Sequence, residues 1–181
     1  MRRWGVFIGF LVVAALLGSG IYMAQRDPGF ARKIPSPLLD KPIPVFELPE
    51  LLDPAKTVSP AQFAGNVWLL NVWGSWCPEC WREHGYLERL ARDEGLTIVG
   101  LNWRDARADA LDMLRRAGNP YRAIGVDPDS DAAVDLGVYG APESFLIDKR
   151  GVIRFKHVGA ITPEIWRDEL GPLVRRLEAE S

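Results

Sequence analysis

Cys77 and Cys80, within Trp76-Cys77-Pro78-Glu79-Cys80, are two nucleophilic side chains spaced closely enough to react with one another. They are the two cysteines of a 181-residue chain, so no long-range disulfide can staple the fold, and disulfide chemistry must involve this pair or a partner. The nearly continuous apolar run of residues 67–73 reads as a strand buried on both faces, and Pro78 suits the first turn of a following helix. Cys77 therefore stands at a helix start, where unpaired backbone N–H groups and the helix dipole stabilise a thiolate, the form that attacks disulfides. On this reading Cys77 is the exposed nucleophile, and Cys80, one turn deeper, resolves the mixed disulfide.

Other uses of the pair fit less well. A zinc site would have to recruit His84 and His157, at spacings no common zinc module uses. Haem attachment needs a histidine directly after the second cysteine, and Trp81 stands there. An inert buried thiol pair is the plain alternative. His84, one turn past Cys80, could relay a proton, but a lone helical histidine is more often structural or solvated and is left outside the catalytic set. No cofactor and no metal are expected.

The elements around the pair alternate. Beyond a helix over residues 78–91, the pattern predicts a strand at 97–102, a helix at 106–117 closed by Gly118-Asn119-Pro120, and a short strand at 123–126. A small helical stretch at 131–136, a hairpin of strands 144–148 and 152–157, and a closing helix at 163–177 follow. Helices flanking a mixed sheet make this an α/β fold.

With 48% hydrophobic and 25% charged residues, the chain is neither collagen-like, low-complexity nor wholly disordered. Residues 4–23 carry no charge and match one membrane thickness of helix. Gly18-Ser19-Gly20 supplies small residues for signal-peptide cleavage, but the apolar run continues through Ile21, Tyr22 and Met23 without a clean Ala-x-Ala site, so its length favours a retained anchor. Arg2 and Arg3 are nearly balanced by Arg26, Arg32 and Lys33, and a short signal-anchor puts the amino terminus in the cytoplasm and the folded domain on the far side. The formal charge of −2 hides a more acidic remainder, because the first 26 residues hold three basic residues and no acidic one. A negative domain without basic clusters argues against a nucleic-acid partner. Pro28, Pro35, Pro37, Pro42 and Pro44 make a semi-rigid tether, with an edge strand expected at 45–48. The predicted organisation is an anchor at 1–26, a tether at 27–42 and a folded domain at 43–181.

Three features together resemble a known family: Leu70-Asn71-Val72-Trp73-Gly74-Ser75-Trp76-Cys77-Pro78-Glu79-Cys80, the later Gly137-Val138-Tyr139-Gly140-Ala141-Pro142-Glu143-Ser144-Phe145-Leu146-Ile147-Asp148, and the N-terminal anchor. The chain resembles the CcmG/DsbE family, the membrane-tethered thioredoxin-like proteins of cytochrome c maturation. The resemblance implies a thioredoxin-like fold and a periplasmic dithiol reductant in the bacterial inner membrane, with a single span. A membrane thiol–disulfide transporter would recharge it, and it would reduce apocytochrome c directly or through another maturation thiol protein. It also implies a cis-proline at Pro142, whose missing N–H leaves the neighbouring backbone free to pair with an extended peptide, with Ala141 supplying contacts.

Thioredoxins carry a buried aspartate six residues before the first cysteine as base for the second thiol, but Asn71 stands there and an amide cannot serve. Glu83, three residues past Cys80, and Glu143, beside Pro142, are the candidate replacements, and the resemblance points to the same two acids. Carboxylates near the thiols raise their pKa, oppose the helix dipole and make the pair more reducing. Glu79 adds a negative charge between the cysteines, whereas Trp73 and Trp76 are read as packing the strand end. A general periplasmic reductase is the second reading, and a metal-binding or docking module the third.

Overall fold

The computed structural model describes residues 36–180 and, in the N-terminal segment, residues 10, 12–16 and 18–20. Contacts divide the chain into Met1–Pro35 and Ser36–Ser181. The described residues of the first unit are helical. No helix among the described residues is long and apolar enough to cross a membrane, and most of the expected anchor, with residues 27–35 of the tether, lies outside them.

In the second unit, β1 (Leu48–Pro49) and β2 (Thr57–Val58) form a small antiparallel ladder. The edge strand expected at 45–48 contracts to β1 because Pro42 and Pro44 offer no N–H, and Val45 is left exposed. The main sheet is centred on β3 (Trp68–Trp73), buried along its whole length. β3 pairs in parallel with β4 (Thr97–Trp103), and β4 in parallel with β5 (Ala123–Asp127). On its other side β3 pairs antiparallel with β6 (Glu143–Ile147), and β6 with β7 (Ile153–Val158). This mixed sheet of order β5-β4-β3-β6-β7 is the expected α/β architecture.

Strand alternation sorts the side chains onto two faces. Leu69 and Trp73 face α1 (Pro78–Asp93), α2 (Arg107–Ala117) and the closing helix α4 (residues 163–179), meeting Leu87, Leu90, Met113 and Leu170. Trp68, Leu70 and Val72 face the other way, onto α3 (Asp131–Asp135) and the segment holding Ile43, Phe46 and Phe63. Gly118 (φ 88°) ends α2, and Gly137 (φ 62°) follows α3, both in the left-handed region that glycine tolerates.

α4 runs from Pro163–Ile165 through a π-helical turn at Trp166–Leu170 into Gly171–Ala179. The turn puts the Gly171 N–H on the Trp166 carbonyl five residues back, just ahead of Pro172, which has no N–H to continue an α-helical ladder.

The predicted tether needs correction at its end. The Asp40 N–H donates to Ile153 O at 2.8 Å, the Ile153 N–H to Lys41 O at 2.9 Å, and the Ile43 N–H to Gly151 O at 2.8 Å. Leu38 and Leu39 pack against the second core. Residues 36–42 are therefore part of the folded unit, because β7 is a sheet edge whose backbone groups need partners and two leucines lie close enough to be buried with them.

A chain beginning at Ser36 is expected to unfold at the same urea concentration as one beginning at Asp27, whereas one beginning at Ile43 should lose about 1–3 kcal/mol of stability. Equal midpoints for all three would mean that the strap contributes nothing.

Candidate active site

The dithiol motif follows directly from β3. The Cys77 N–H donates to Gly74 O at 3.1 Å, closing the turn between strand and helix, and Cys77 is the N-cap of α1 with Pro78 in the first turn. Cys77 and Cys80 form a disulfide, and the Cys80 N–H points at Cys77 Sγ at 3.1 Å, the donor geometry that stabilises a thiolate.

Neighbouring side chains hold this turn. Ser75 gives its N–H and hydroxyl to the two oxygens of Asp105, each at 2.6 Å. Trp76 Nε1 donates to Trp103 O at 3.1 Å, and Trp81 Nε1 to Ser75 O at 2.8 Å. Gly74 lies so close under the Trp76 indole that a Cβ there would overlap the ring. Glu79 is paired with Arg82 on the exposed side of α1, so its charge beside Cys77 is partly compensated.

The expected exposure of Cys77 is corrected. Cys77 is 2% exposed and Cys80 1%, while Trp76 is 50% exposed. The cause is the segment before β6: the Ala141 carbonyl oxygen lies 3.3 Å from Cys77 Sγ, and the Ala141–Pro142 peptide bond is cis, as the resemblance implied.

Glu83 and Glu143 are both buried, but on opposite faces of the sheet. Glu83 Oε2 accepts the Ile161 N–H at 2.6 Å, and Oε1 accepts Asn71 Nδ2 at 3.0 Å. Asn71 Nδ2 also donates to Ser144 Oγ at 3.1 Å, and Asn71 Oδ1 accepts the Tyr121 hydroxyl at 2.9 Å. Burial pushes the Glu83 carboxyl up to about 7, against the lowering effect of the Ile161 and Asn71 hydrogen bonds. Asn71, which cannot itself act as a base, thus orients the acid that can.

Glu143 precedes Ser144 by one residue, so its side chain leaves β6 on the other face. Its Oε1 accepts the N–H groups of Tyr139 and Gly140, each at 3.0 Å, and its Oε2 pairs with Lys156 Nζ at 2.9 Å. The expected action of Glu143 as a bare charge on the thiols is therefore corrected: its carboxylate is neutralised by Lys156 and holds the loop that leads to Pro142.

His84 is buried, with Nε2 2.9 Å from Gly118 O and its ring edge-on to Tyr121, and burial lowers its pKa. These contacts assign it to packing α1 against the end of α2. Among the described residues no three His, Cys, Asp or Glu side chains are grouped to hold a metal ion. Sequence reasoning missed Tyr121, Ser144, Ile161 and Lys156. The turn residues Gly118-Asn119-Pro120 mark where Tyr121 enters the fold, but nothing in them signals its burial.

Residues 39–170 match the model of the Redoxin family. The thiol:disulfide interchange protein DsbE of Allochromatium vinosum is 50% identical over 93% of this chain and 90% of its own. Its Escherichia coli K12 counterpart is 37% identical over 100% and 99%. The chain belongs to the DsbE family. Among solved structures, a secreted thiol-disulfide isomerase from Corynebacterium glutamicum superposes with a TM-score of 0.63 at 26% identity, covering 74% of this chain and 85% of that one. As a DsbE-family protein with an adjacent cysteine pair in a thioredoxin-like fold, this chain is a protein-disulfide oxidoreductase.

The Glu83 carboxyl gives a pH test. The folded protein keeps this proton up to about pH 7, whereas the unfolded chain releases it near 4.5, so its contribution to stability is full below pH 4.5 and lost as pH rises to about 7. Glu83→Gln removes that slope. In urea unfolding of the oxidised protein, stability of the variant minus that of wild type should rise by on the order of 3 kcal/mol between about pH 4 and 8. A difference that does not change with pH would place the Glu83 pKa at its ordinary value.

Proposed function

We propose that this DsbE-family protein is a periplasmic dithiol reductant of cytochrome c biogenesis, anchored in the bacterial inner membrane by the segment over residues 4–23. Its substrate is oxidised apocytochrome c, or a maturation thiol protein in mixed disulfide with it, and a membrane thiol–disulfide transporter restores the dithiol. The Cys77 thiolate attacks a substrate disulfide sulfur, forming a mixed disulfide and releasing one substrate thiolate. Cys80 then attacks Cys77 Sγ, which frees the second substrate thiol and leaves the protein oxidised by two electrons. Glu83 is the acceptor for the Cys80 proton, and Pro142 with Ala141 seats the substrate chain.

The observation that carries this reading is the buried Glu83 carboxyl one helical turn past Cys80, with its pKa raised to about 7 by burial. A base matched to neutral pH accepts the resolving thiol's proton and returns it when the disulfide is reduced again. The relatives are thiol:disulfide interchange proteins, which supports thiol chemistry, and the acidic domain without basic clusters suits a protein partner.

Cys80→Ser, expressed in the native host at full length, should accumulate in the membrane fraction as a mixed disulfide through Cys77 with apocytochrome c or a maturation thiol protein. Cys77→Ser should capture neither. Capture of a broad set of periplasmic proteins, without those two, would favour the general reductase, and capture through Cys80 alone would reverse the cysteine roles.

A further inference from the structure

Lys156 lies on the edge strand β7, directly across from Phe145, and its side chain is almost fully buried. Besides its ion pair with Glu143 Oε2 at 2.9 Å, its ammonium donates to Gly137 O at 2.8 Å. The same ammonium lies 5.0 Å from the ring centres of both Tyr139 and Phe145, the geometry of cation–π contact. Burying a lysine charge is unfavourable unless it is paired and hydrogen-bonded, and every one of these partners belongs either to the loop 137–140 or to the strand it enters.

That loop is therefore held along its length. At its start, the Gly137 and Val138 N–H groups bond Val134 O and Ala133 O at 2.9 and 2.8 Å, capping α3. At its end, Glu143 takes the Tyr139 and Gly140 N–H groups. Lys156 joins the two by gripping Gly137 O and Glu143 together. The next residue, Ala141, has its carbonyl against Cys77 Sγ, and Tyr139 stands 61% exposed beside it.

We propose that Lys156 is a positioning residue for thiol–disulfide exchange with peptide and protein disulfides. It fixes the 137–140 loop, and with it Tyr139 and the Ala141 backbone, as a rigid wall beside Cys77 against which an extended chain is seated. A small disulfide that reaches the sulfur without lying along that wall depends on it less. Preorganising a binding loop lowers the cost of ordering it when substrate arrives, so the benefit belongs to the substrate that uses the loop.

The test compares two oxidised substrates, glutathione disulfide and a short extended peptide closed by a Cys-x-x-Cys disulfide, reacting with the reduced full-length protein. For Lys156→Met, the ratio of the single-turnover second-order rate constant for the peptide to that for glutathione disulfide should fall about tenfold relative to wild type, with the change in the peptide concentration that half-saturates the rate. Lys156→Arg, which can still pair with Glu143 and stack on Tyr139, should recover most of the ratio. Because Lys156→Met leaves Glu143 buried without its cation, the same measurement is made in the double variant Lys156→Met, Glu143→Gln, which carries no unpaired charge and should show the same fall. A ratio equal to wild type in the double variant, or equal losses for both substrates in every variant, would overturn the proposal.

Discussion

Removing a carboxylate from water without giving it a cation is strongly unfavourable, and the two hydrogen bonds to Glu83 offset only part of that. The described partners of Glu83 are an amide side chain and a backbone N–H, both neutral. The group responds by holding its proton to about pH 7. Most of the local architecture serves this one buried acid. β3 supplies Asn71, β6 supplies Ser144, the loop after α2 supplies Tyr121, and the turn before α4 supplies Ile161. Four separate stretches of chain meet in one network, in which Asn71 and the Ile161 N–H bond the Glu83 carboxyl directly and Ser144 and Tyr121 bond Asn71, so the sheet register and the course of α4 are constrained by it as well as by the apolar core.

Consecutive residues of β6 divide the labour between the two faces of the sheet. Ser144 belongs to the Asn71–Glu83 network, while Glu143 and Phe145 meet Lys156 on the opposite face. The two acids, one a helical turn past Cys80 and the other beside Pro142, therefore have different electrostatic fates. Glu143 is compensated by a buried ammonium, so its field is that of a dipole and fades quickly with distance. Glu83 has no such partner among the described residues, and its protonation can change within the pH range in which thiols exchange.

The central strand, the helix opening at Pro78 and the cysteine pair were legible because each rests on local signals: an unbroken apolar run, a proline suited to a first turn, and two cysteines at helical spacing. The α/β order was legible for the same reason. What escaped was set by long-range packing. Whether Cys77 is exposed depends on a segment 64 residues away laying a carbonyl over its sulfur. Reading Asn71 as a lost base was correct about its chemistry and missed its use, because its partner Glu83 is 12 positions later and on another element. The side of the sheet taken by Glu143 turns on a one-residue alternation fixed by β3 pairing, and Lys156 acquires meaning only once β7 lies against β6. Leu38 and Leu39, in a proline-rich stretch that reads as a spacer, are captured by the open edge of β7.

The thiol pair itself sits between opposing influences. The Cys80 N–H and the helix start favour a charged Cys77 sulfur and hence the dithiol, whereas an ionised Glu83 disfavours charge nearby and hence favours the disulfide. With the Glu83 carboxyl poised near pH 7, these influences do not stay in fixed proportion. On the role proposed for Glu83, each proton gained relieves the opposition to the thiolate and each one lost strengthens it, so the balance between the two oxidation states is coupled to the protonation of a buried acid. A permanently ionised acid would exert a constant bias instead. An acid neutralised by lysine, as Glu143 is, would exert almost none. Burial is what separates Glu83 from both, and burial here is a property of the whole fold.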